Sequence, residues 1–367
     1  MRAIAVRPGD RSVSQIDVSE PEGPAPGEVL LRVLDVGVCG TDREIAAFEY
    51  GTPPEGQDHL VLGHESLAEV VSVGAEVASY HPGDLVVPRV RRPCASTTCR
   101  PCRSGRADFC LTGGYVERGI KELHGFMTER VVEEERWLHR VPAGLRDIGV
   151  LTEPLTIAEK GLSQVRRISG RIGEPDRLWG DGLTAVVVGA GPVSLLGAMA
   201  LQADGFRTFV YSRSPAPNEK ADVATAIGAP YISSTELSAA ELREQVGGRI
   251  DVVYEAAGIA GVAFDVLEVL GSNGVLVLTS VARPEPPRSV AIAELVRRMV
   301  LQNQVIVGTV NAGPADYESA VAHLATFRER WGDTVSALIT GRHPMEAHEE
   351  LLRGRSSGIK NVVQIGS

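Results

Sequence analysis

The sequence predicts an α/β protein in which a parallel-sheet domain is inserted into a β-rich domain. Between residues 184 and 308, strand-like and helix-like segments alternate, which is typical of a doubly wound parallel sheet with right-handed crossovers. Residues 1–90 instead carry short apolar strands separated by Pro-Gly turns, as in compact barrels and sandwiches. A run of valines, 186–188, closes on Gly189 and Gly191 and opens into a helix-patterned segment.

The order of these segments along the chain indicates an insertion. The length of 367 residues exceeds what one hydrophobic core usually supports, so two domains are expected. We predict a β-rich domain formed by residues 1–160 and 309–367, and a parallel-sheet domain formed by residues 161–308.

The composition excludes several classes of function. A net charge of −10 argues against a non-specific nucleic-acid binder, because such binding depends on clustered Lys and Arg. No apolar run reaches the roughly 18 residues that a membrane span needs, and residues 3–6 are too short for a signal peptide. The chain is therefore expected to be cytoplasmic, with neither nucleic acid nor a membrane as partner.

Two glycine-flanked loops of the β-rich part carry metal-binding side chains. Strands are predicted at residues 28–34 and 66–73. One loop carries Cys39 and the other carries His64 and Glu65. Three protein ligands and an open fourth position define a catalytic zinc site, and all three side chains are zinc ligands. A small core cysteine and a surface His-Glu pair explain the same residues, and the two interpretations stay equally open at this point.

Four of the five cysteines lie close together in one polar loop, at Cys94, Cys99, Cys102 and Cys110. In a reducing compartment this clustering favours metal binding over disulfides. Four thiolates complete a closed, tetrahedral zinc site that can hold a loop without a core of its own. We predict a structural zinc here, and not a nucleic-acid-binding finger, because a second Cys/His pair at finger spacing is missing from the sequence.

The segments between and after these motifs carry isolated polar residues. Residues 113–127 form a glycine-punctuated stretch that contains Glu117. Glu153 directly precedes a proline, which predicts extended backbone, and its simplest role is that of an acid at a helix N-terminus. The final segment begins near Asn311 and ends with a predicted strand at 362–365.

The alternating segments predict a dinucleotide site. Strands are expected at 184–188, 208–211, 251–255, 274–278 and 305–308, and helices at about 192–204, 219–227, 238–246, 260–270 and 291–302. After the first strand, Gly189 makes a tight turn and Gly191 lets backbone N–H groups approach a pyrophosphate. Pro192 and Val193 open the helix whose N-terminus would face the phosphates, and Ser194 replaces the usual third glycine.

The end of the second strand indicates which dinucleotide binds. NAD is usually held by a carboxylate at this point, whereas this strand ends with Ser212 and Arg213. A guanidinium binds a 2′-phosphate in a fork, which a carboxylate would repel. We therefore favour NADP, with NAD as the open alternative.

These motifs, in this order, resemble the zinc-dependent medium-chain alcohol dehydrogenase superfamily over nearly the whole chain. Within it, several stretches are similar to the archaeal-type glucose 1-dehydrogenases, namely 90–93, 116–120, 124–127, 153–155 and 307–311. The resemblance implies a GroES-like catalytic domain, split in sequence, around a Rossmann domain.

The resemblance also implies roles for individual residues. Catalytic zinc would be surrounded by Cys39, His64 and Glu65, with Glu153 as a further ligand or a neighbouring carboxylate. Structural zinc would be held by Cys94, Cys99, Cys102 and Cys110. Sugar hydroxyls would be bound by Thr41, Glu117, Glu153 and Asn311. The dinucleotide would be held by Gly189, Gly191, Pro192, Val193, Ser212 and Arg213, with Asn303 near the nicotinamide. The family usually has its first lobe cysteine at the position of Ser96, so Cys94 reaches the metal only if the loop bulges.

The implied reaction is oxidation of D-glucose, or of another aldose such as galactose, at C1 to the lactone, with hydride transfer to NADP⁺ or NAD⁺. Zinc would polarise the C1 oxygen, and the proton relay stays open among Thr41, Asp42 and a zinc-bound water. One alternative is the same chemistry on a polyol, a secondary alcohol or threonine. A second is a non-catalytic NADPH-binding regulatory protein. The resemblance further implies a homodimer or a homotetramer.

Overall fold

A computed structural model describes residues 1–173, 179–355 and 357–366. In chain order, its strands β1 to β19 are Arg2–Arg7, Ser12–Asp17, Glu28–Gly37, Leu60–Val61, Glu65–Val73, Leu85–Pro88, Arg91–Arg92, Val116–Arg118, Glu122–Leu123, Arg130–Glu134, Leu138–Val141, Thr184–Val188, Arg207–Ser212, Tyr231–Ser233, Ile250–Glu255, Leu270–Leu278, Val305–Gly308, Ile339–Pro344 and Lys360–Gln364. The helices α1 to α11 are Gly40–Ala46, Arg100–Arg103, Thr152–Ser169, Pro192–Ala203, Glu219–Ala226, Ala239–Gln245, Ala260–Leu267, Ile292–Leu301, Pro314–Trp331, Asp333–Ser336 and His348–Arg353. Within these described ranges, none of the helices has the length and apolar character to cross a bilayer.

The contacts divide the chain into two compact units. The first comprises Met1–Glu153, Asn311–Ala325 and Ile339–Ser367, and the second comprises Pro154–Val310 and Thr326–Leu338. The domain limits expected from the sequence stay a prediction. They differ from these units because two of the divisions fall inside the continuous helices α3 and α9, where no change of composition marks them.

The first unit is built on mostly antiparallel sheets, in which β18 pairs parallel with β19 and β8 pairs parallel with β9. Its largest sheet has the order β11-β6-β5-β3-β19-β18, with β10 also pairing with β3. Strand β3 pairs with three neighbours because it is long and its inward side chains, among them Val29, Leu31 and Val33, are fully buried. The predicted strands at 28–34 and 66–73 lie within β3 and β5.

The last strand of the chain returns to the middle of this sheet. Strand β19 pairs antiparallel with β3, so that Val362 lies opposite Gly37. On its other edge, β3 pairs with β5, and the same Gly37 lies opposite Glu65. The register therefore brings the start of β19 and the start of β5 to the same end of β3.

The second unit contains a six-stranded parallel sheet of order β14-β13-β12-β15-β16-β17. All five residues of β12 are buried, as expected for a central strand covered on both faces. The strands and helices predicted in this region agree with β12, β13, β15, β16, β17 and α4 to α8 within a few residues. Strand β14, Tyr231–Ser233, was not predicted because three residues carry too little periodicity.

The backbone prediction for Glu153 was wrong. Glu153 is the second residue of helix α3, and Pro154 lies in its first turn. A proline is tolerated there because the first N–H groups of a helix have no intrahelical partner.

An aromatic contact attaches the first half of α9 to the first unit. The ring of Tyr317 stacks on His139 at 4.8 Å, and the backbone N–H of Val90 donates to the Tyr317 hydroxyl at 3.2 Å. Burial, with the charge of Arg89 acting in the same direction, lowers the pKa of His139 to about 3. The folded protein therefore holds this imidazole in its neutral form.

We expect His139 to make the protein less stable in mild acid. An unfolded histidine binds a proton below a pH of about 6.5, whereas the folded one does not, so stability is lost as the pH falls from about 6.5 towards 3. The loss due to His139 should reach about 2 kcal/mol at pH 5. His139→Phe, which keeps the stacking on Tyr317, should lose correspondingly less between pH 7 and pH 5 in urea unfolding.

The matched control is the exposed His81, changed to Gln, which should behave like the wild type. Other titrations are common to all three proteins and cancel in the comparison. If His139→Phe and the wild type lost equal stability between pH 7 and pH 5, His139 would not be the cause of the acid sensitivity.

Candidate active site

A buried carboxylate, Asp42, joins the two loops that were singled out in the sequence. Cys39 is the residue before helix α1, and its N–H donates to Asp42 Oδ2 at 2.8 Å. The N–H of Gly63 donates to Asp42 Oδ1 at 3.3 Å, and His64 Nδ1 lies 3.4 Å from the same oxygen. Asp42 therefore holds the cysteine and the histidine in one place.

Glu65 is the first residue of β5, and its partner comes from the far end of the chain. Lys360, the first residue of β19, donates to Glu65 Oε2 and, at 3.2 Å, to the carbonyl oxygen of Val38. The Glu65 and Lys360 side chains are both almost completely buried. A Cβ at Gly37 would overlap the Glu65 carboxylate, so the glycine makes room for it.

The structure brings Cys39, His64 and Glu65 together. Their ligand atoms, one from each residue, all lie within 4.8 Å of one another. A thiol, an imidazole and a carboxylate in this arrangement fit a zinc ion with an open coordination position. Burial acts to lower the pKa of His64, but the charge and hydrogen bonding of Asp42, together with those of Cys39, outweigh it and raise that pKa well above its ordinary value.

Glu153 is buried in the same unit and shares electrostatic interactions with these residues. Burial raises the pKa of its carboxyl to about 8, with the charge of His64 acting against the shift and that of Glu65 acting with it. A carboxyl with such a pKa can hold or release a proton near neutral pH, which is typical of functional sites.

The polar residues predicted to bind hydroxyl groups lie in the same unit, and two of them are in contact. The amide Nδ2 of Asn311 donates to Glu117 Oε1 at 3.0 Å. Arg91 Nε donates to the same oxygen, also at 3.0 Å. Glu117 and Arg91 are both buried. Thr41 follows Cys39 by two residues, in the first turn of α1, and is partly exposed.

Backbone packing brings the loop after Glu117 against the loop before His64. Gly119 has a φ of +69°, and a Cβ there would lie 2.5 Å from the carbonyl oxygen of Gly63. On the other side, the N–H of Phe126 donates to that carbonyl oxygen at 2.9 Å. The loop that follows Glu117 is therefore held against the residue that precedes His64.

The four clustered cysteines form a second donor set. Their sulfur atoms all lie within 4.8 Å of one another, and they comprise Cys94, Cys99, Cys102 and Cys110. The Sγ atoms of Cys99 and Cys110 are 4.0 Å apart, about twice the length of a disulfide bond, and all four residues are free thiols. Thiolates this close repel one another unless a cation lies between them, so the set fits a zinc ion. Cys94 reaches the cluster in spite of its unusual spacing.

The predicted turn of the second unit has the geometry that a pyrophosphate requires. Gly189 has a φ of +106°, and a Cβ there would lie 2.8 Å from Ser194 Oγ. Gly191 is the residue before α4, and nothing lies within 4 Å of the position that a Cβ would take there. Ser194 is buried and donates to the carbonyl oxygen of Ala256. Close packing of α4 on the sheet comes instead from Gly197, where a Cβ would lie 2.5 Å from the Tyr254 ring.

The other cofactor residues lie at different edges of the sheet. Pro192 and Val193 begin α4, and Ser212 ends β13 at the same edge as the turn, followed by the exposed Arg213. Asn303 precedes β17 and therefore lies at the opposite edge of the parallel sheet. There its carbonyl oxygen accepts a hydrogen bond from Arg171 at 2.7 Å. The structure does not bring Asn303 to the edge where Gly189 turns.

The fold and these two donor sets define a zinc-type, medium-chain dehydrogenase. Residues 25–143 match the alcohol dehydrogenase GroES-like domain, and residues 146–365 match the glucose dehydrogenase C-terminus. Both the predicted fold class and the predicted resemblance are confirmed.

Individual relatives show which members of this class of dehydrogenases the chain is similar to. Glucose 1-dehydrogenase of Thermoproteus tenax is 40% identical over 100% of this chain and 99% of its own length, and that of Methanocella arvoryzae is 36% identical over the full length of both. The solved glucose dehydrogenase of Haloferax mediterranei, in complex with NADP, Zn and gluconolactone, superposes with a TM-score of 0.88 at 33% identity, with both chains fully covered. The chain belongs to the glucose dehydrogenase family.

Three residues of the site were missed or undervalued in the sequence. Lys360 lies 295 positions from Glu65, and Arg91 lies 26 positions from Glu117. Asp42 was considered only for proton relay, although its three residues of separation from Cys39 are typical of a helix capping pair. That spacing was a signal for Asp42, and the similar stretch 90–93 contained Arg91 without indicating its role.

We expect Gly119→Ala to disrupt the contact between the two loops. A left-handed backbone alone costs alanine about 1–2 kcal/mol, and the overlap with Gly63 adds to that cost. Gly113→Ala is the matched control, since Gly113 has a φ of +71° with nothing within 4 Å. Urea unfolding should show a clearly larger loss for Gly119→Ala, together with a lower content of bound metal. Equal losses in both variants would contradict the close packing.

Proposed function

We propose that this protein oxidises D-glucose at C1 to the lactone, with NADP⁺ accepting the hydride. Membership in the glucose dehydrogenase family and full-length similarity to named glucose 1-dehydrogenases support the reaction. Galactose and other aldoses are the further substrates that the same site would accept. Neither a polyol or threonine dehydrogenase nor a non-catalytic NADPH-binding protein is favoured.

One structural observation carries the proposal. The donor set of Cys39, His64 and Glu65 and the hydrogen-bonded pair of Glu117 and Asn311 belong to one unit. Close packing of Gly119 on Gly63 holds the loop after Glu117 against the loop before His64. A reaction at C1 of a sugar ring needs both features, because the metal acts on one oxygen while other hydroxyls fix the orientation of the ring.

Zinc is the metal that we propose for both donor sets. Cys39, His64 and Glu65 would hold the catalytic ion, with Glu153 as a ligand or neighbouring carboxylate, and the four clustered cysteines would hold the structural ion. When bound, the catalytic ion supplies Lewis acidity that makes the C1 hydroxyl easier to deprotonate.

The protein's own groups would orient the substrate and manage the proton. Asp42 holds the Cys39 and Gly63 N–H groups and faces His64, so it serves to position the donors. We infer that Thr41, at the start of α1 and partly exposed, hydrogen-bonds the sugar and takes part in the proton relay. Glu153 would exchange a proton with the substrate hydroxyl, since burial raises its pKa to about 8.

The second unit would bind NADP. Gly189, Gly191, Pro192 and Val193 offer backbone N–H groups and a helix N-terminus to the pyrophosphate. Ser212 and Arg213 would bind the 2′-phosphate, since a hydroxyl and a guanidinium are good phosphate donors. The bound cofactor supplies the hydride acceptor.

We further propose that the protein is cytoplasmic and associates with copies of itself. Its cysteines are all free, which suits a reducing compartment. Helix α8 has no buried residue, and Ile292, Val300 and Leu301 are each more than 60% exposed. Strand β17 is the last strand of its sheet. An apolar helix face next to a sheet edge is typical of a surface that a second copy covers.

The proposed reaction is tested by a panel of substrates and cofactors. We expect the highest kcat/KM for glucose with NADP⁺, measured by NADPH absorbance, and at least tenfold lower values for sorbitol, threonine and secondary alcohols. Such discrimination is expected because buried polar groups left unpaired by the wrong substrate are costly. Preference for an alcohol without an anomeric hydroxyl would contradict the proposal.

Metal analysis tests the two proposed zinc sites separately. The purified protein should contain about two zinc ions per chain, and Cys39→Ala and Cys94→Ser should each contain about one, because a lost ligand weakens only its own site. Cys39→Ala should lose activity but keep its stability, whereas Cys94→Ser should lose stability. Two zinc ions in Cys94→Ser would exclude Cys94 as a ligand.

A further inference from the structure

Arg91 is a buried cation next to the hydroxyl-binding pair, and none of the steps above uses it. Strands β7 and β8 pair antiparallel, so that Arg91 lies directly opposite Glu117. The Arg91 and Glu117 side chains are only 5% and 6% exposed. Side chains directly opposite each other on such strands interact strongly, and here they form a buried ion pair at 3.0 Å.

The guanidinium of Arg91 is fixed on a second side. Its central carbon lies 3.7 Å from the centre of the Tyr115 ring, close enough for a stacked cation–π contact. The neighbouring Arg92 instead pairs with Glu133 and packs on Trp137. The two adjacent arginines therefore have different partners, and only Arg91 contacts the carboxylate of Glu117.

The hydrogen bonds leave one oxygen of Glu117 available. Oε1 accepts both the Arg91 Nε–H and the Asn311 amide. Within the ranges that the structure describes, Oε2 has no hydrogen-bond partner. The side-chain oxygen Oδ1 of Asn311 itself accepts a hydrogen bond from the N–H of Ala312, at 2.8 Å. What remains is an acceptor on Glu117 next to a second N–H of the Asn311 amide.

Building on the proposed function, we propose that Arg91 is a specificity-determining positioning residue. It fixes Oε1 of Glu117, so that Oε2 is presented in one orientation as the acceptor for a single sugar hydroxyl. A lysine cannot replace it, because an ammonium lacks both the planar donor at Nε and the flat face that stacks on Tyr115. The strength of discrimination between a sugar and its deoxy analogue then depends on Arg91 as well as on Glu117.

The test is a double-mutant cycle on the full-length protein. With NADP⁺ as the cofactor, kcat/KM is measured for glucose and for each of its singly deoxygenated analogues. The proteins compared are the wild type, Arg91→Met, Glu117→Gln and the double variant. We expect each single variant to lower kcat/KM for glucose about 30-fold, mainly through KM, since a hydrogen bond to a charged group is lost. The double variant should be no worse than Glu117→Gln alone, because Arg91 acts only through that carboxylate.

The deoxy sugars distinguish a role of Arg91 in positioning Glu117 from a general loss of activity. For the one analogue that lacks the hydroxyl read by Glu117, all variants should match the wild type within about threefold. Arg91→Lys should resemble Arg91→Met, and KM for NADP⁺ should stay within about twofold throughout. The double variant leaves no unpaired buried charge, so it keeps the test valid even if Arg91→Met folds poorly.

Arg130→Met serves as the control, because it removes an exposed ion pair with Glu20 elsewhere in the same unit. It should leave the ratio of kcat/KM between glucose and each deoxy sugar unchanged. Additive losses in the double variant, or an equal loss on every sugar, would overturn the role of Arg91. Absence of glucose turnover in the wild type would instead overturn the proposed function, so the two failures are distinguishable.

Discussion

Three carboxylates are buried in the first unit near Cys39 and His64, and much of that unit is arranged to make their burial tolerable. Removing a charge from water costs several kcal/mol unless it is paired or neutralised. Asp42 is satisfied by two backbone N–H groups and by His64. Glu65 is paired with Lys360. Glu153 is kept protonated to a higher pH, because burial raises its pKa to about 8.

These partners explain why distant parts of the chain must meet. Lys360 can reach Glu65 only because the last strand lies next to β3, whose other edge carries β5. Two of the glycines are equally constrained, since a side chain at Gly37 would overlap Glu65 and one at Gly119 would overlap Gly63. The donor set of Cys39, His64 and Glu65 lies among these charges, and a thiolate and a carboxylate so placed suit a divalent cation.

The second unit follows a different constraint. The proposed binding of the pyrophosphate at its turn uses backbone N–H groups, so this site would depend on conformation more than on charge. Gly189 takes a left-handed backbone that other residues rarely adopt. The substitution of Ser194 for a third glycine is accommodated because its hydroxyl bonds to Ala256, while Gly197 provides the close helix contact one turn later. The close packing of helix against sheet is thus reached with a shifted set of small residues.

The sequence by itself determined the parallel-sheet unit, the metal-binding side chains and the dinucleotide turn, because periodicity, ligand chemistry and turn geometry are local properties. Tertiary structure alone decided which residues act together. Lys360 with Glu65 and Arg91 with Glu117 are pairs that only strand register creates. The edge on which Asn303 lies follows from the direction of β17, and local pattern does not encode it. Contacts between separated segments depend on how sheets assemble, which spacing along the chain does not specify.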